Sequence, residues 1–320
     1  MAWEWVILTA VAAGFAFSLM GIAFRIGERG GASPLQVMTL ACSIAFLIFG
    51  VQAIWVWDQV DWVFCFWSVA TGLTQYGLIK LMKPTLKRGP LSPMWCALML
   101  SFVPTILYAW LFLGDRFTWW GLLSMFAALG AVLAAVGATD SKNAGGKSRG
   151  KQKFIYGVLL IVLLLMNSEA NIANKTLQFR TPDFDSVVCV YLALLYLGLI
   201  VPAWIEAATV NRINFRSKYL YLAIGIATIG SMGGMALQNV VIGYSAALVF
   251  TVICASSILF GAVMSVVICK EKRTLSWYMA IFGALAAISF SQGESIVKII
   301  EKANAPTTLA SGQKDTAIVD

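Results

Sequence analysis

The chain has 320 residues, 60% of them hydrophobic and 12% charged, and its 23 Lys and Arg against 15 Asp and Glu leave a net charge of +8. A soluble domain carries roughly 25% charged residues, so this composition excludes water as the main solvent. Cys42, Cys65, Cys96, Cys189, Cys254 and Cys269 form no CxxC spacing and there is no histidine, which excludes a disulfide framework and a zinc site and leaves the thiols as small apolar fillers.

Ten apolar stretches reach the roughly 17 to 25 residues needed to cross a hydrocarbon core as helices. They run over 4–25, 34–56, 63–83, 91–113 and 117–138, then 154–174, 186–207, 219–242, 246–269 and 275–297. Unpaired backbone amides are so costly in lipid that helices are the spanning form these runs allow, and strand-like alternation is absent. Met1-Ala2-Trp3-Glu4-Trp5 is acidic and aromatic where a secretory signal is basic, so the first run is read as a span. In the third span, Lys80, Lys83 and Lys87 recur at i, i+3 and i+7 and give a basic face. That face suits an anionic substrate or a cytoplasmic anchor. Pro104 and Pro202 interrupt their spans, so kinks are expected there. Small residues four apart, such as Ser124 and Ala128 or Gly283 and Ala287, permit close helix packing within the chain or across a homodimer seam.

Residues 139–153 have the Gly, Ser and Lys content of a flexible linker, and residues 300–320 read as a polar, disordered tail. Between them the sixth span is the richest in polar groups at membrane depth. Asn167, Asn171 and Asn174 recur at i, i+4 and i+7 and share one helix face, with Glu169 off that stripe. Polar side chains in such positions either bind substrate or bond helices together. Gln75 and Ser231 stand near mid-depth of the third and eighth spans with the same two readings, and Tyr76 adds an aromatic wall. The candidate binding set is therefore Asn167, Asn171, Asn174, Glu169, Gln75, Tyr76, Ser231 and Lys80, with Glu169 also a candidate proton carrier.

The two halves resemble one another at an offset of 156 residues: Asp115 aligns with Glu271, Thr118 with Thr274, Gly77 with Gly233 and Gln75 with Ser231. Five spans per unit is an odd number, so the second unit enters the membrane in the opposite direction and the repeat is inverted. The expected fold class is an all-α integral membrane protein whose ten transmembrane helices form two inverted five-helix repeats, 1–138 and 154–299.

Both halves carry a short acidic turn between the fourth and fifth spans and then a helix rich in small residues: Gly114 to Thr118 before Gly121 to Gly137, and Lys270 to Thr274 before Trp277 to Phe290. With the run from Met235 to Ala247 and the opening from Gly14 to Pro34, this resembles the drug/metabolite transporter superfamily, EamA type, over about residues 4 to 297. The resemblance implies a ten-helix carrier with cytoplasmic termini. Lys80, Lys83, Lys87 and Arg88 depart from it, standing where that family is small or apolar.

Charge argues for the other orientation. Most of the Lys and Arg, including Arg25, Arg29, Lys80, Lys87, Lys147, Lys153, Arg212 and Lys270, fall in the odd-numbered loops, which the positive-inside rule places in the cytoplasm with both termini outside. Most of the tryptophans lie towards the opposite side. The chain has no HExxH, no GxSxG, no carboxylate pair in a shared span and no GxxxxGK[ST] loop, which argues against catalysis and nucleotide hydrolysis. The expectation is a secondary transporter of small polar metabolites in a bacterial cytoplasmic membrane, an exporter or exchanger of amino acids or related compounds. The alternatives are a receptor or scaffold that keeps a transporter fold, and a carrier of phosphorylated or nucleotide-sugar-like anions. The expected partners are a small-molecule substrate, a coupling proton or ion and the lipid bilayer, with no cofactor and no nucleic acid.

Overall fold

The structure is a computed structural model that describes residues 3–89, 91–112, 119–137, 146–181, 183–209, 213, 215, 217–241, 246–268, 270, 274–291 and 293. The tail expected over 300–320, the Asp115 turn and Glu271 of the second acidic turn lie outside the described residues. The helices are α1 (Trp3–Arg29), α2 (Pro34–Ala53), α3 (Trp62–Leu86), α4 (Leu91–Met99), α5 (Phe102–Phe112), α6 (Trp119–Gly137), α7 (Gly146–Arg180), α8 (Phe184–Thr209), α9 (Lys218–Thr228), α10 (Gly234–Val241), α11 (Ala246–Val267) and α12 (Leu275–Ser291). No strand occurs among the described residues. Among the described residues, five stretches, Trp5–Arg29, Pro34–Ala53, Gly150–Arg180, Phe184–Thr209 and Lys218–Leu237, are long and apolar enough to cross a membrane. Leu91–Thr105, Leu122–Ala134, Val252–Val267 and Trp277–Phe290 are shorter apolar helices.

Local chemistry sets the ends. Gly31 adopts a φ of 77°, a left-handed conformation that glycine takes without cost. It lets the Ala32 and Gly31 amides donate back to the Gly27 and Glu28 carbonyls at 2.9 and 3.0 Å and closes α1. Ser33 then opens α2 with a capping box, its hydroxyl accepting from the Gln36 amide while the Gln36 side chain accepts from the Ser33 amide. The Asp61 carboxylate caps α3 by accepting from Phe64 N at 2.7 Å.

Four features depart from the sequence expectations. The fourth span breaks into α4 and α5 at Leu100 and Ser101. Pro104 has no N–H for the Leu100 carbonyl, which accepts from Val103 N at 3.0 Å instead. Pro202, also expected to kink its span, lies inside a helix that continues from Phe184 to Thr209. The sixth span starts at Gly146, so the helix takes in the second half of the stretch expected as a 139–153 linker, whose remaining residues lie outside the described ones. Finally, the eighth span changes to a π-helical turn over Ile229–Gly233 between α9 and α10.

Packing pairs the helices of the first half with those of the second. The small-residue stripe expected on α6 packs on α12 within the chain: a Cβ on Gly283 would meet the Ala131 Cβ at 3.1 Å, and Ser124 donates to the Ala287 carbonyl at 2.7 Å. Helix α1 lies on α11, where Gly14 leaves space for Ile253 O and Ser256. Helices α3 and α2 lie on α8, and α7 lies on α3, α4 and α5. At one end of the bundle, here the basic face, Arg29 donates to the Ile268 carbonyl at 3.0 Å and Gly30 meets Ser217. At the other, the tryptophan face, Trp5, Trp55, Trp57, Trp62 and Trp119 are exposed, as residues of a membrane-water interface are.

Candidate functional site

Two seams fix the position of helix α3. On one side Gly72 and Gly198 bring its backbone against α8: a Cβ on Gly72 would lie 2.9 Å from the Gly198 Cα and would strike the Leu195 carbonyl. On the other side Gly77 leaves space for the Met166 side chain of α7, 2.7 Å from where a Cβ would stand. The residues between these seams line a wedge bounded by α3, α7 and α8.

Glu169 of α7 points into that wedge. Its Oε1 lies 3.1 Å from the Thr71 hydroxyl of α3, and Thr74 places a second hydroxyl beside the carboxylate. Thr71 has one proton for two acceptors, because the Trp67 carbonyl is 2.9 Å away, so it gives Glu169 less than a full hydrogen bond. Glu169 Oε2 is buried with no hydrogen-bond partner. Tyr191, buried on α8, stands beside both Glu169 and Thr71. Gln75, one turn along α3 from Thr71, has a buried amide nitrogen that is equally without a partner. Thr71 lies about 13 Å along α3 from its start at Trp62, at 1.5 Å per residue.

Lys80 and Tyr76 belong to a separate cluster nearer the basic face. Glu206 of α8 draws both: its Oε2 accepts from Lys80 Nζ at 2.8 Å and from the Tyr76 hydroxyl at 2.6 Å. Lys80 also approaches the Tyr76 hydroxyl at 3.4 Å and sits 5.6 Å from the ring centroid. The lysine side chain is 55% exposed and that of Glu206 12%. The Lys80 charge is thus matched inside the protein.

The asparagine stripe serves the break in the fourth span. Asn167 donates to the Leu98 carbonyl and to the Ser101 hydroxyl, both at 2.9 Å, and Asn171 donates to the same hydroxyl at 3.0 Å. Two amides therefore fill both lone pairs of one serine at the point where α4 and α5 part. Asn174 accepts from Gln178 at 3.1 Å on its own helix. Ser231 is buried in the π-helical turn, 3.5 Å from the Thr228 carbonyl, on the seam where Gly230 faces Ala16 of α1.

Of the residues the sequence singles out, Glu169 and Gln75 line the wedge, Lys80 and Tyr76 join Glu206, Asn167 and Asn171 join Ser101, and Asn174 and Ser231 lie apart. Thr71, Thr74, Tyr191 and Glu206 complete these clusters without having been foreseen. Thr71, Thr74 and Gln75 do fall at i, i+3 and i+4, a one-face spacing visible in the chain.

No family model matches the chain, and no curated protein does. Five chains of solved structure match it. One, described only as "Crystal structure of protein", superposes with a TM-score of 0.61 over 94% of this chain and 100% of its own at 14% identity. At that identity the likeness concerns the fold alone: the chain shares its helical arrangement with a protein of known structure.

Proposed function

We propose that the chain is a secondary carrier of small polar metabolites, an exporter or exchanger of amino acids or related compounds, working by alternating access across a bilayer. The observation that carries this reading is the wedge: a carboxylate and an amide, each with a buried, unpartnered atom, held among apolar helices. Such groups cost several kcal/mol in hydrocarbon and persist where they serve a ligand or ion.

The packing supports two inverted five-helix repeats, with α4 and α5 as one span and α9 and α10 as another. Exchanging the halves maps α6 on α12 and α2 on α8 onto themselves, and sends the α3–α8 seam to the α9–α2 seam. Ser101 meets α7 at Asn167 and Asn171, and Ser257, 156 residues later, has its amide 2.9 Å from where a Gly14 Cβ would lie on α1. Two related seams of this kind are what a rocking carrier needs. The anion-carrier alternative loses its main support, because Lys80 is paired with Glu206.

Purified protein in proteoliposomes tests the reading through counterflow of labelled amino acids and related metabolites. Accumulation that depends on internal substrate is expected. No movement of any solute, with a protein partner co-purifying, would instead favour the receptor or scaffold.

A further inference from the structure

The wedge is unbalanced in charge. An ionised carboxylate has about four acceptor positions, and Glu169 has shares of the Thr71 and Thr74 hydroxyl protons, which the Trp67 and Ala70 carbonyls also take, and an empty, buried Oε2. Among the described residues of the helices packed on α7, α4, α5 and α6 carry no charged side chain. The charges of α3 are Asp61 and Lys83 near its ends and Lys80, the last held by Glu206 of α8. Asp185 stands at the far end of α8. Lys175 of α7 is about 9 Å along the helix from Glu169. Among the described residues, none brings a cation to hydrogen-bond or ion-pair distance of this carboxylate.

Gln75 is the complement. Its amide nitrogen is a donor that lacks an acceptor, and it sits one turn of α3, about 6 Å, beyond Thr71 on a neighbouring part of the same face. A group that satisfies both orphans carries N–H donors at one end and an acceptor atom a few ångströms away. The aromatic ring of Tyr191 beside Glu169 suits a cationic head, whereas a divalent metal would seek several carboxylates, and no cluster of His, Cys, Asp and Glu suited to a metal occurs among the described residues.

The same two helices, α3 and α7, also hold a surface pocket. On the tryptophan face a pocket of about 250 Å³ opens between the start of α3 and the end of α7, with Asp61, Phe64, Leu177 and Arg180 in its wall. Phe64 stands about 10 Å above Thr71 along α3, and Leu177 about 12 Å above Glu169 along α7. The Phe64 and Phe184 rings, 6.2 Å apart, and the Phe184 and Tyr191 rings, 5.9 Å apart, fill the interval.

We infer that Glu169 is the seat of a primary ammonium group, that Gln75 receives an acceptor atom of the same ligand, and that the ligand arrives from the tryptophan face past the Phe64–Phe184 pair. This rests on the carrier reading and narrows its substrate class to amines.

The test uses the full chain in neutral detergent, with n-butylammonium as probe and butyrate as its anionic counterpart. Saturating butylammonium is expected to raise the unfolding temperature by about 3–6 °C. Butyrate is expected to leave it unchanged, and Glu169→Gln to abolish the rise. No rise in the parent protein, an equal rise with butyrate, or a full rise in Glu169→Gln overturns the assignment. Should Glu169→Gln fail to fold, dicyclohexylcarbodiimide modification of Glu169 in the parent protein, read by mass spectrometry, replaces it: butylammonium should slow modification about tenfold, and an unaltered rate overturns the assignment. The two readings fail separately. Binding through Glu169 without flux of any solute leaves the seat and removes the carrier, whereas flux that is equal in parent and Glu169→Gln leaves the carrier and removes the seat.

Discussion

The Gly72–Gly198 crossing makes a sharp claim about what holds the wedge together, and a paired substitution isolates it. Replacing Gly72 by Ala places a Cβ 2.9 Å from the Gly198 Cα and against the Leu195 carbonyl, all backbone atoms that no rotamer change can move. A Cβ on Gly130 of α6, by contrast, meets nothing within 4 Å. Both glycines are inside helices, so Ala brings each the same propensity gain of about 1 kcal/mol. The difference between the variants is then the cost of overpacking alone. Typical insertions of a methyl group into a filled core cost about 1–3 kcal/mol, and the rigidity of these neighbours places Gly72→Ala at the upper end, about 3 kcal/mol below Gly130→Ala. At roughly 2 °C per kcal/mol, appropriate to a long chain, the unfolding temperatures should differ by about 6 °C. Thermal scanning of intrinsic tryptophan fluorescence in detergent reads this directly. Equal midpoints for the two variants would mean that α3 and α8 are not in backbone contact, and the geometry of the wedge would fall with that.

Glu206→Gln or Lys80→Met alone should weaken the basic end of the α3–α8 seam, and exchanging the two as Lys80→Glu with Glu206→Lys should recover part of the loss. Since Lys80 is half exposed, a double-mutant cycle should give a coupling no larger than about 1 kcal/mol. Asn167→Ala leaves the Leu98 carbonyl without its side-chain donor and should cost about 1–3 kcal/mol in thermal stability, whereas Asn174→Ala, which breaks a bond only to Gln178, should cost under about 0.5 kcal/mol. Matching losses would show that the stripe does not hold the α4–α5 break. An alkaline phosphatase fused after Gly145 should be inactive if the basic face is cytoplasmic. High activity there would reverse the orientation that the lysines and arginines imply.

The helices were legible because lipid leaves the backbone few choices. Any apolar run of sufficient length must satisfy its amides internally, so span positions follow from hydropathy with little need of tertiary information. Helix ends and defects were less so. The break at Leu100 follows from Pro104, but nothing local says that Asn167 and Asn171, far along the chain, cover it. The partners of polar side chains were the least legible. Lys80 read as part of a basic face because nothing local points to Glu206, its partner 126 residues away. Thr71 drew no notice because a helical threonine ordinarily bonds its own i−4 carbonyl, as Thr71 also does with Trp67. Glu169 stood out as a charge within an apolar run, yet its lack of a full set of partners is a property of three helices together.

The π-helical turn at Ile229–Gly233 has a mechanical meaning of its own. It winds one more residue into a turn than α geometry holds, like an extra thread stored in a screw. Returning those residues to α geometry while α9 stays fixed would drive the shaft beyond it through about 100° and 1.5 Å per residue released. Ser231 rides on that thread, the unpartnered Thr228 hydroxyl stands at its start on α9, and α10 is the part that would turn. The eighth span can therefore change which face it presents without unfolding and without sliding as a whole.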